Sequence, residues 1–79
     1  MKIESGELTI DDLDANSLNV VAGTFKNTTA NVNSVENAGT ITSATVNVEG
    51  DLTNAENATL NVENGTITVS ENLKNYGKF

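Results

Sequence analysis

Seventy-nine residues make one domain at most, 1–79, and a globule this short is marginal unless it is stapled or assembled. The chain has no cysteine and no histidine, which removes disulfides, thiolate sites and the commonest zinc and copper ligands, so no cofactor or metal is expected. Four basic residues against eleven acidic ones give a net charge of −7, which argues against nucleic acid as a partner and against an anionic membrane surface.

The opening Met1-Lys2-Ile3-Glu4 turns polar at once, unlike a signal peptide, and no later run approaches the length of a membrane span. Either the chain works where it is made or it belongs to a longer exported protein. Two short patterns then alternate along the sequence. One is glycine, a polar residue and a large apolar residue: Gly6-Glu7-Leu8, Gly23-Thr24-Phe25, Gly39-Thr40-Ile41, Gly50-Asp51-Leu52, Gly65-Thr66-Ile67 and Gly77-Lys78-Phe79. The other carries a central asparagine: Asn16-Ser17-Leu18-Asn19-Val20, Ala30-Asn31-Val32-Asn33-Ser34, Ala44-Thr45-Val46-Asn47-Val48 and Ala58-Thr59-Leu60-Asn61-Val62.

Both patterns alternate apolar with polar residues, and that period of two places Leu, Val and Ile on one face of a strand. Thirteen Asn and eleven Thr disfavour helix interiors. Glycine before each apolar strand supplies a corner, and Ala30, Ala44 and Ala58 are small residues placed where a narrow wall bends. Asn19, Asn33, Asn47 and Asn61 are spaced fourteen apart. A fixed period with one supersecondary unit per period marks a repeat architecture.

The expected fold is all-β, a β-solenoid (parallel β-helix) of about five short coils with two strands each, roughly 24 Å long at one strand spacing per coil. The predicted core is Leu8, Ile10, Leu18, Val20, Phe25, Val32, Val35, Ile41, Val46, Val48, Leu52, Leu60, Val62, Ile67, Val69 and Leu73. In that scheme the four asparagines at period fourteen form a structural column whose amides bond along the axis. The alternative fold is an antiparallel hairpin meander. Asn64-Gly65 suits a type I′ turn that would set Leu60 against Val69 and Val62 against Ile67.

Val35-Glu36-Asn37-Ala38-Gly39-Thr40-Ile41 and Leu73-Lys74-Asn75-Tyr76-Gly77-Lys78-Phe79 share a finer pattern, apolar-x-Asn-x-Gly-x-apolar, with partial copies at Phe25-Lys26-Asn27 and Leu52-Thr53-Asn54-Ala55. This resembles the repeats of filamentous-haemagglutinin-like exoproteins and autotransporter passengers, which are bacterial surface adhesins. The resemblance implies a right-handed parallel β-helix outside the cell or on the bacterial surface, acting as a rod, with a host or glycan ligand possible. Those repeats are structural, so no catalytic residue carries over. No secretion domain is present in these residues, the coil length is uneven, and the acidity is high.

Among candidate sites, Asp11, Asp12 and Asp14 have the carboxylates a calcium ion wants, but neither the nonapeptide of calcium-binding β-rolls nor an EF-hand loop is present, so a solvated loop is expected. Thr40-Ile41-Thr42 and Thr66-Ile67-Thr68 look like pieces of the threonine arrays of ice-binding proteins, but Glu7, Lys26 and Asp51 are expected to interrupt the array. Asn27-Thr28-Thr29, Asn57-Ala58-Thr59 and Asn64-Gly65-Thr66 match the glycosylation triplet, which arises by chance in a chain this rich in Asn and Thr. Neither an arginine base of the lyase kind nor a Ser-His or Cys-His arrangement exists, so an enzyme is not expected.

The expected function is a structural or adhesive module of a surface or extracellular fibre. Its alternatives are a filament subunit that stacks on its own copies and a trimeric phage-fibre or glycan-binding piece. Association, with self or with the remainder of a longer polypeptide, is expected through Ile3, Leu8, Leu73 and Phe79 in the end coils.

Overall fold

The computed structural model describes the backbone of residues 1–79 and every side chain but that of Asn64. Seven strands follow one another without a helix: β1 (Lys2–Ile3), β2 (Glu7–Val20), β3 (Thr24–Asn37), β4 (Thr40–Val48), β5 (Leu52–Asn54), β6 (Thr59–Val69) and β7 (Leu73–Asn75). Every pairing between them is parallel. Parallel neighbours cannot be joined by a tight hairpin, so the chain must travel around a coil between them. The fold is a β-solenoid of about four turns. The meander is thereby excluded: β6 runs through Gly65 as one strand on β4, and Leu60 pairs with Ile41 rather than with Val69.

Each coil has three sides, not two. In β3 the inward residues come in pairs, Phe25 with Asn27, Ala30 with Val32 and Val35 with Asn37, and two outward or half-exposed residues separate one pair from the next. A strand that stays straight keeps its period of two, so the extra residue at 28–29 and at 33–34 marks a corner. The same break falls at 11–12 and 16–17 in β2. Local bonds hold the first corner: Asn27 Nδ2 donates to the Thr29 carbonyl at 2.8 Å and Ser43 Oγ to the Thr45 carbonyl at 3.2 Å.

The register corrects the fourteen-residue period. Glu7 stands on Thr24, seventeen positions on, and Thr24 on Thr40, sixteen on. Thr40 stands on Thr59, nineteen on, and Val48 on Val69, twenty-one on, because the corner between Val62 and Thr66 holds two extra residues. Asn19, Asn33, Asn47 and Asn61 therefore form no column. Asn19 lies between Lys2 and Glu36 on the third side, and Asn47 lies between Asn31 and Thr68 on the second. Asn61 stands on Thr42 on the first side, and Asn33 sits at a corner under Gly50, whose N–H bonds its carbonyl at 2.7 Å. A fourteen-residue step in a coil of about seventeen slides back around the wall with each turn.

The core is made of stacked columns. Leu8, Phe25, Ile41 and Leu60 form one on the first side, and Leu13, Ala30, Val46 and Ile67 form another on the second. Val35, Leu52 and Leu73 continue a third above Leu18. Ile3 and Leu13 are buried and were missing from the predicted core, whereas Leu73 is 48 % exposed and Val62 only half-buried. Leu73 tops its column with nothing above it. Leu13 was hidden in the sequence by Asp12 and Asp14, which point outward on either side of it.

Gly23 has φ +90° and a Cβ built on it would collide with the Gly6 carbonyl, while Gly6 has φ +82° with open space around it. Gly6→Ala thus meets only the left-handed strain of about 1–2 kcal/mol, and Gly23→Ala adds backbone displacement to the same strain. Urea melts should rank Gly23→Ala clearly below Gly6→Ala. Equal losses would show that the coils do not approach one another at this corner.

Candidate functional site

The coil has three kinds of surface that could do something: a polar seam inside its third corner, its flat outer sides, and its two ends. The seam begins at the end of the third side, where the inward column reads Ile3, Val20, Asn37, Asn54 and Asn75. Asn37 and Asn54 are fully enclosed, at 1 % and 0 % exposure. Asn37 Nδ2 donates to Asn54 Oδ1 at 2.8 Å, and Asn54 Nδ2 donates to Asn75 Oδ1 at 2.9 Å. Each amide also reaches across the corner, Asn37 to the Thr59 carbonyl at 2.8 Å and Asn54 to the Lys78 carbonyl at 2.9 Å. Thr59 and Lys78 are themselves bridged, so the two contacts repeat one coil apart. Asn37 Oδ1 further accepts the Gly39 N–H at 3.1 Å.

This is the amide column that the sequence pattern implies, built from different asparagines. Asn37 and Asn75 come from the two apolar-x-Asn-x-Gly segments and Asn54 from the partial copy Leu52-Thr53-Asn54-Ala55: Val35 stands on Leu52, Leu52 on Leu73, and the asparagines two residues later stack with them. A buried carboxamide costs stability unless all its atoms are partnered, and here partners come from both the ladder and the corner carbonyls. Within the seam Asn37 and Asn54 are enclosed and Asn75 is exposed at its end. Asn27 Oδ1, on the first side, is buried without a protein partner among the described residues.

The outer columns differ from side to side. The first side stacks Glu7, Thr24, Thr40 and Thr59 in one column and Thr9, Lys26, Thr42 and Asn61 in the other. Lys26 Nζ lies 3.1 Å from Glu7 Oε2, an exposed pair of little energetic weight. The second side stacks Asp12, Thr29, Thr45 and Thr66 beside Asp14, Asn31, Asn47 and Thr68. The third is mixed, with Lys2, Asn19, Glu36, Thr53 and Lys74 in a single column. Asp51, expected to break the threonine array, lies beside the third side, where its carbonyl accepts the Val35 N–H.

Asp11, Asp12 and Asp14 are not in a loop; all three lie in β2 with exposed side chains. Among the described residues no group of three or more His, Cys, Asp or Glu side chains is placed to hold a metal. A groove of about 550 Å³ follows the second corner, lined by Asp14, Asn16, Asn31, Asn33 and Glu49 with the edges of Ala15 and Val32. It is shallow and has no aromatic wall.

The ends are unlike. At the N-terminal end β1 lies along the third side of the first full coil, and Glu7, Asp11, Asp12 and Asp14 surround the other two. Ile3 is buried there and Leu8 half-buried. At the C-terminal end Leu73, Tyr76 and Phe79 are 48, 64 and 49 % exposed. Of the four residues expected to mediate end-coil contact, only Leu73 and Phe79 present open apolar surface. Tyr76 joins them, a residue the sequence reading passed over because it sits between the motif's Asn and Gly. No family model matches this chain, and no curated protein or solved structure matches it.

Proposed function

We propose that this chain is a structural and adhesive module of a bacterial surface or extracellular fibre, a short stack of coils that takes a further coil on its C-terminal end and performs no catalysis. The difference between its ends carries the reading. A solenoid end exposes a row of strand N–H and C=O groups, and proteins blunt such an edge with charge or cover it. The last coil instead offers Leu73, Tyr76 and Phe79 beside the open edges of β6 and β7. Its Asn75 ends an amide ladder that another asparagine in register would continue. The likeness of the apolar-x-Asn-x-Gly segments to adhesin repeats supports placing the chain outside the cell.

In a solution of the isolated chain the further coil on offer is another copy. Head-to-tail stacking with a constant operator gives an open filament unless the rotation closes a ring. Sedimentation should show association that rises with protein concentration and with salt, since salt screens the repulsion between chains of net charge −7. Leu73→Glu with Phe79→Glu should weaken it at least about tenfold, because each side chain loses on the order of 1 kcal/mol or more of apolar burial. A folded species that stays monomeric at high concentration and high salt would remove the stacking end, and with it this function.

A further inference from the structure

Above its acidic first coil, where Asp12 and Asp14 stand, the second side carries an uncharged block of outward residues. In the second to fourth coils its six outward positions are Thr29, Asn31, Thr45, Asn47, Thr66 and Thr68. In a chain where nearly one residue in five is charged, none of the six is. The acidic residues stand around this block: Asp12 and Asp14 in the coil below, Glu49 at the second corner and Glu63 at the first. The sequence reading set Glu7, Lys26 and Asp51 among the threonines. The register puts Glu7 and Lys26 in the columns of Thr40 and Thr42 on the first side, as expected, and Asp51 by the third, so that on the second side the columns of Thr66 and Thr68 meet charge at Asp12 and Asp14 in the first coil.

We infer that this side binds the surface of ice. Parallel stacking repeats the outward hydroxyls about 4.8 Å apart along the axis, and two outward residues of one strand stand about 6.7 Å apart. Water bonded tetrahedrally at about 2.75 Å has second neighbours about 4.5 Å apart and a layer repeat near 7.3 Å. The misfit along the axis is about 0.3 Å per coil, so over three rows it stays near 0.6 Å, a small fraction of one hydrogen bond. Threonine supplies a methyl group and a hydroxyl on a stiff β-branched stem, so the array is ordered before it meets the lattice. The neighbouring column is held as well: Asn47 Nδ2 donates to Asn31 Oδ1 at 2.9 Å. Charged groups would keep their own hydration shells and break the ordered layer, and none intrudes among the six. A sugar polymer is the weaker fit, because the side has no aromatic ring on which a sugar face could lie. This inference stands apart from the stacking end, since the side lies parallel to the axis and a single copy presents it.

The test is partition of the purified chain into a slowly grown ice hemisphere, with crystal shape watched in a supercooled droplet. The chain should concentrate in the ice and facet the crystal. Thr45→Lys and Thr66→Lys should each abolish faceting and reduce partition to the level of a non-binding protein, with the fold checked by circular dichroism. Thr53→Lys, on the third side, should leave both unchanged. Exclusion of the folded chain from ice would overturn the inference, as would equal loss in Thr53→Lys. Retention on microcrystalline chitin or cellulose without partition into ice would reassign the side to a polysaccharide and equally overturn it. Neither result depends on the sedimentation of the chain.

Discussion

Replacing Asn54 by alanine should cost about 3 kcal/mol, a large share of the roughly 4–12 kcal/mol expected for a chain of this length. Asn54 is fully enclosed and has hydrogen-bond contacts with four groups: Asn37 Nδ2, Asn75 Oδ1 and the carbonyls of Lys78 and Ala58. Alanine leaves one Asn37 Nδ2–H without its acceptor in the interior, while the bond to the Thr59 carbonyl stays, and it leaves a void. Aspartate should do worse. It still accepts from Asn37, but it turns a negative oxygen toward Asn75 Oδ1 and the Lys78 carbonyl, where the amide had donated. An unpaired buried charge costs several kcal/mol, so Asn54→Asp should leave no folded population at neutral pH. Asn61→Ala is the control. Asn61 is exposed on the first side above Thr42, and its loss should stay within about 0.5 kcal/mol. Urea unfolding of the three variants measures all of this. Equal costs for Asn54→Ala and Asn61→Ala would mean that the ladder carries no stability.

Val46→Asp is the second large effect. Val46 is buried in the column between Ala30 and Ile67, with a neighbour stacked on it from the coil below and from the coil above. A carboxylate there meets only apolar neighbours and should abolish the cooperative transition, a loss of more than about 4 kcal/mol. Thr40→Asp places the same charge on the outer face of the first side, between Thr24 and Thr59. It should cost no more than about 1 kcal/mol, the span of strand preference. Comparable losses in the two variants would reverse the assignment of inside and outside.

The alternation of apolar and polar residues was enough to read strands, inward faces and a parallel stack. The coil length was not legible, because no constant period exists. Steps of sixteen, seventeen, nineteen and twenty-one positions come from corners of unequal size, and corners are where insertions cost least. The regular spacing of Asn19, Asn33, Asn47 and Asn61 was therefore a false guide, since their environments differ from turn to turn. The true register lay in a less regular signal, the asparagine two residues after Val35, Leu52 and Leu73. That asparagine is fixed because a corner carbonyl and a neighbouring amide both need it. The three-sided cross-section was visible only as one extra residue in the alternation, at 28–29 and 33–34, and reads equally well as a turn. The uncharged block of the second side, above Asp12 and Asp14, followed from the register alone. A reader who stacks Asp51 on the threonines loses it.

The central claim is that the coils stack through Asn37, Asn54 and Asn75. An isotope-edited NOE spectrum of the chain tests it most directly, since asparagine side-chain amides give resolved pairs of signals. The account predicts cross-peaks joining the Asn54 carboxamide to those of Asn37 and Asn75, with the Asn37 and Asn54 protons exchanging slowly in heavy water. Cross-peaks that instead join Asn33 to Asn47 and Asn47 to Asn61, with rapid exchange at Asn54, would contradict it.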